Sequence, residues 1–228
     1  GNQLHNGTVY NFDEEYRPKL FRRLRNFVWE EPIHEMVRLT PVVYDSDIVI
    51  THMPEQNHAD RDLSNFRKQI AAGRQLSRRL YGMYARELFL AGTVQDLREA
   101  ENYFRTEVSS PDRIADEITE GCCVAAKAAR LRGDTVAFFK HTSKVIAGEG
   151  CSEICCELGH FYEEKQDYEE AAIWYYNAAY ETQPALTLRS AGEEPLQGLI
   201  RCYEQLGDPK QAESYRKELK QRQNENKK

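Results

Sequence analysis

No stretch of this 228-residue chain is apolar over anything near the ~18 residues that a membrane-crossing helix needs, so a helical span is not expected. No signal peptide is read either. The start at Gly1 rather than Met points to a longer parent chain, cut at this position, from which a leader would have been lost. Positive charge is not in excess: the net charge of −6 weighs against a nucleic-acid partner. The six cysteines, at 122, 123, 151, 155, 156 and 202, form no CxxC pair with a second matching pair, so a zinc-binding module is not expected. All six fall in helical patterns, where Cys serves as a small buried apolar residue, and free thiols suit a reducing, cytoplasmic setting. No nucleophile elbow and no paired His–carboxylate signature is found, which sets aside a stand-alone hydrolase. What remains is a chain with 40% hydrophobic residues and charge spread along its length, enough for one large domain or two small ones.

The strongest pattern runs from Cys151 to Pro184. Ile154, Leu158 and Tyr162 recur at the helical period, with Cys155 and Gly159 on an adjacent row. Gly159 removes a side chain where a second helix must come close. Gln166-Asp167 is the turn, and Asp167 with Glu170 resembles a capping box. The second helix then offers Ala171, Ala172, Tyr175, Ala178 and Ala179. Together these positions match the helix–turn–helix unit of a tetratricopeptide repeat, about 34 residues long. Such a unit cannot bury its apolar face alone, so neighbours must stack on it.

The pattern returns 41 residues on: Tyr203 answers Tyr162, Gly207-Asp208 answers Gln166-Asp167, and Ala212 answers Ala171. Asp208-Pro209 reads as a helix cap followed by Pro at the first helical position. The surplus over ~34 residues is placed in the connection from Pro184 to Glu194. Two weaker units precede: Leu80 to Leu90 with Leu97 to Phe104, then Ile114 to Leu131 with Thr135 to Ala147 around Gly133-Asp134. Ser110-Pro111-Asp112 is expected to start the second of these by the same cap-plus-Pro logic. The last residues, 220 to 228, are polar and expected to fray.

The composition changes before about residue 70. β-Branched runs, prolines and four of the six histidines collect there. Lys19 to Arg22, Phe27 to Trp29 and Asp47 to His52 are strand candidates, and Asp60 to Ala72 turns helical. So few short strands hardly make a core of their own. The run Leu20-Phe21-Arg22, then Trp29, then Ile33-His34-Glu35, then Ile48-Val49-Ile50-Thr51-His52, followed by a charged helix and repeats, resembles the last part of the catalytic domain in family-2 bacterial glycosyltransferases that carry tetratricopeptide hairpins behind it.

The spacing of the repeats predicts a fold that is mainly α, and the resemblance adds what stands in front of it. A tetratricopeptide-like α–α superhelix would occupy residues 71–228, behind a small β-containing segment, residues 1–70, that ends an α/β glycosyltransferase domain. It implies His34 as a ligand of a divalent Mn or Mg ion, Glu35 beside it as a catalytic carboxylate, and Arg22, Trp29 and His52 as substrate-binding residues. The ion would neutralise the diphosphate leaving group of a nucleotide-sugar. Asp45-Ser46-Asp47 has the letters of the family's Asp-x-Asp turn but opens a strand rather than closing one, and reads as a solvated turn. The nucleotide-binding domain itself is absent, so this chain alone is expected neither to catalyse transfer nor to hold a cofactor.

Each of these residues also has a plainer reading. His34 and His52 can be ordinary strand-end histidines, Glu35 and Arg22 surface charges, and Trp29 core. In the repeats, Glu153, Cys156, His160 and Glu163 on one first helix and Gln197, Arg201 and Glu204 on the next are expected to face the inner groove. A mixed polar groove suits an extended peptide or protein acceptor, or self-association; a solvated face is the alternative. The function expected is thus the C-terminal region of a glycosyltransferase, and the other reading is a non-catalytic tetratricopeptide adaptor.

Overall fold

A computed structural model of the chain describes residues 5–6, 9–10, 26–38, 46–48 and 59–225. The architecture is mainly helical. Two small antiparallel β-hairpins come first: β1 (His5–Asn6) with β2 (Val9–Tyr10), and β3 (Trp29–Glu30) with β4 (Met36–Val37), Trp29 opposite Val37. The helices follow as α1 (Ala59–Ala71), α2 (Arg78–Ala91), α3 (Val94–Glu107), α4 (Ala115–Arg132), α5 (Thr135–Ile146), α6 (Ser152–Glu164), α7 (Tyr168–Tyr176), α8 (Glu193–Gln205) and α9 (Pro209–Glu225). A π turn, Asn177–Glu181, continues α7, and a 3₁₀ turn, Leu188–Ala191, precedes α8. No helix among the described residues is long and apolar enough to cross a membrane.

The even-numbered helices form a row, α2 on α4, α4 on α6 and α6 on α8, while α4 packs on α5, α6 on α7 and α8 on α9. Three of the turns are built alike. Gly133, Gln166 and Gly207 take left-handed φ values of 79°, 62° and 73°. The next residue's N–H bonds back to the last helical turn, as in Asp134 to Ala129, Asp167 to Tyr162 and Asp208 to Tyr203. The same aspartates then cap the following helix, accepting from the N–H of Ala137, Glu170 and Gln211. One residue pair therefore stops a helix and starts its partner.

The core is continuous from Ile33 to Leu186, with a second cluster around Tyr175, Leu196, Leu199, Cys202 and Tyr215. All six cysteines are buried thiols. Aromatic stacks mark the junctions: Phe66 on Tyr84 at 4.8 Å and Phe138 on Phe161 at 4.9 Å. A close fit on both sides is found at Tyr175, whose ring lies between Gly159 of α6 and Gly198 of α8. A Cβ on either glycine would stand 2.6 Å from a ring carbon.

Two expectations need correction. The helix after Ser110-Pro111-Asp112 does not start there. Residues 110–113 form a turn, and α4 begins at Ala115, where the N–H of Ile114 donates to Glu117. The delay places the buried Arg113 guanidinium between Glu107 and Glu117, with Leu76 O also accepting from it and the Tyr81 ring 4.2 Å away. The strand expected over Asp47 to His52 is not found at 46–48, which are irregular; its remainder lies outside the described residues, as do Lys19 to Arg22.

Gly159→Ala is expected to destabilise the protein by about 1–3 kcal/mol despite alanine's better helix propensity, because Gly198 blocks the ring's retreat. Gln166→Gly is expected to stabilise it by about 1 kcal/mol by relieving the left-handed φ. Urea unfolding midpoints measure both.

Candidate functional site

Two regions carry the candidate residues. In the first, His34 sits in the β3–β4 turn with φ 52°, its carbonyl accepting from Arg79 at 3.2 Å. This turn is fastened to the helices: Ile33 enters the core, and the hydroxyl of Ser77, the cap of α2, donates to Glu31 at 2.6 Å. The His34 ring is 6.2 Å from the Phe66 ring. Its Nε2 is buried without a hydrogen-bond partner, 3.7 Å from Asp62 Oδ2 of α1. Glu87 of α2 belongs to the same neighbourhood. Burial and the charge of Asp62 push its carboxyl above the usual range, and His34 pulls it back. Glu35 and Trp29 are exposed on the hairpin. Arg22 and His52 lie outside the described residues.

An ion with bonds near 2.0–2.2 Å gathers ligand atoms within about 4.4 Å of one another. Among the described residues His34 belongs to no group of three possible ligands that close. Imidazole and carboxylate are the right chemistry for a divalent cation, but His34 and Asp62 alone do not complete a site.

The second region spans α6, α7 and α8. Arg201 reaches from α8 to Glu163 of α6 with two bonds of 2.7 and 2.8 Å, a bidentate pairing. The Tyr175 hydroxyl stands 2.6 Å from Glu163 Oε2 and 2.7 Å from His160 Nδ1, with one proton for the two. His160 Nε2 meets Glu194 Oε1 at 3.1 Å. Burial works against ionising Glu163, but the bonds from Arg201 and Tyr175 outweigh it and hold the carboxyl below its ordinary range. Burial likewise opposes Glu194, and His160, Lys127 and Arg189 more than offset it. The Tyr175 hydroxyl is pushed strongly upward, first by burial and then by Glu163. The network is charge-compensated and joins two helical hairpins.

Of the expected groove residues, the structure thus joins His160, Glu163 and Arg201. Gln197 is exposed nearby in sequence, and Glu204 turns instead to Arg216 of α9. Glu153 and Cys156 do not face an open groove. Glu153 is fully buried and its carboxylate holds the backbone N–H groups of Ala185, Leu186 and Thr187 at 2.8 Å. The Cys156 thiol donates to Ser190 O. The connection before α8, longer than a plain repeat needs, folds over both.

Tyr175 and Glu194 were not expected in the network, nor Asp62 and Glu87 beside His34. Nothing in the local sequence pairs Glu194 with His160, 34 residues before it. Comparison with family models, curated proteins and solved structures gives no match.

Glu163 ionises at lower pH in the folded chain than unfolded, where a Glu titrates near ~4.3. Its ionisation therefore stabilises the fold fully above that value, and the contribution is lost as pH falls through the lower folded value. Glu163→Gln is expected to lower stability at neutral pH and to flatten its acid dependence, measured by urea unfolding across pH.

Proposed function

We propose that residues 71–228 are a tetratricopeptide-like stack and that the chain is the C-terminal region of a metal-dependent nucleotide-sugar glycosyltransferase. The stack would dock a peptide or protein acceptor, or join two copies. For the stack, the supporting observation is the recurring turn. A left-handed residue followed by a capping aspartate stands at Gly133-Asp134, Gln166-Asp167 and Gly207-Asp208. The first interval, 33 residues, is close to the ~34 of the repeat, and the second, 41 residues, carries the longer connection before α8.

For the transferase, the observation that carries the reading is His34. Its ring nitrogen lacks a hydrogen-bond partner and lies beside a carboxylate, in a turn fastened to the helices. In this reading a preceding domain supplies the nucleotide site and the remaining ligands of a Mn or Mg ion. The ion neutralises the diphosphate as it leaves. His34 contributes an imidazole, Glu35 acts at the acceptor side, and Arg22, Trp29 and His52 contact substrate. The chain would then work in the cytoplasm, where nucleotide-sugars and free thiols coexist.

A second reading, a non-catalytic adaptor, is favoured by the polar network itself. Arg201, Glu163, His160 and Glu194, all at least partly exposed, bridge two hairpins around the buried Tyr175, a polar face fit for docking and needing no catalytic domain.

In the transferase reading the isolated chain has no measurable affinity for a nucleotide-sugar with Mn²⁺ by calorimetry; tight binding would overturn it. In the enzyme containing the preceding domain, His34→Ala reduces metal-dependent turnover, whereas an unchanged metal dependence removes His34 from the site.

A further inference from the structure

Two cysteines 28 residues apart meet in the core. Cys123 lies in α4 and Cys151 immediately precedes α6, and their sulfurs are 3.4 Å apart. Glu153, two residues further on, brings its carboxylate to the same point. One ligand atom from each of the three lies within 4.8 Å of the other two, and all three residues are buried. An ion bonded tetrahedrally to sulfur at ~2.3 Å and to oxygen at ~2.0–2.2 Å spaces its ligand atoms roughly 3.5–3.8 Å apart, within that limit and close to the observed sulfur pair.

We propose that Cys123, Cys151 and Glu153 form an internal site for a thiophilic divalent cation of the Zn²⁺ class. Two sulfurs and one carboxylate oxygen select such an ion over Mg²⁺ or Ca²⁺. The carboxylate is already oriented. Its oxygens accept from the N–H groups of Ala185, Leu186 and Thr187, the kind of outer bonds that fix a ligating carboxylate.

The placement in α6 points the same way. Cys151 and Glu153 occupy the cap and second position of α6, whose N-terminus favours negative charge. The Cys151 side chain makes no capping bond, and its sulfur turns to Cys123. Sequence spacing hid the site because its ligands come from two helical hairpins rather than from one short motif.

The test uses the reduced, chelator-stripped chain. Zn²⁺ is titrated against a chromogenic chelator, and Co²⁺ in parallel to read the thiolate-to-metal charge-transfer band. The expected result is one equivalent bound, with a band that saturates at one equivalent. Cys151→Ser weakens binding by more than the roughly 10- to 100-fold that loss of an outer partner costs, while Cys202→Ser, in the other core cluster, leaves it unchanged. The wild-type band needs no variant to fold and decides the matter by itself. No uptake overturns the site, as does uptake without the band (an adventitious ion only), uptake unchanged in Cys151→Ser, or oxidation of the pair to a disulfide in place of metal binding.

Discussion

The ring of Tyr175, held between two glycines, sets the geometry of the C-terminal half. Gly159 and Gly198 present bare backbone to opposite sides of one aromatic ring, one at Cδ1 and Cε1 and the other at Cδ2 and Cε2, so α6 and α8 both close on the same side chain. Close packing of this kind tolerates little change in volume. It also fixes where the far end of the ring lies. The hydroxyl arrives among Glu163, His160 and Arg201, and a packing constraint thereby becomes a polar one.

Much of this was legible in the chain. Gly133-Asp134, Gln166-Asp167 and Gly207-Asp208 announce their turns because two local demands, a left-handed stop and a side-chain cap, fall on adjacent residues. The apolar stripe of Ile154 and Leu158 and the small residues of the second helix locate the core face. The start of α4 was not legible, because cap-plus-Pro at 110–112 satisfies local rules while the buried Arg113 needs the chain to turn first. Glu153 and Cys156 were misplaced for a similar reason. Periodicity assigns them to a helix face, but only tertiary structure shows that the connection before α8 covers that face.

The site residues divide along the same line. His160, Glu163 and Arg201 were accessible to periodicity because it groups them on the same faces of their helices. Their partner Tyr175 sits on the intervening helix, where the pattern speaks only of packing. His34 could be singled out from its neighbours in sequence, but the carboxylates around it come from α1 and α2, and nothing in local sequence pairs them. Buried ion pairs such as Arg130 with Glu157 show the same logic. Leaving either partner alone would strand a buried charge, and the two come from helices that no local pattern pairs.

The connection between α7 and α8 has a mechanical meaning. Extra residues between two stacked units would ordinarily act as slack, extending first when the ends are pulled apart. Here the Glu153 carboxylate grips three consecutive backbone amides of that connector, and the Cys156 thiol holds its far end at Ser190. Tension applied at the C-terminus would therefore pass straight into α6, and the last two helices would move with the rest as a single lever.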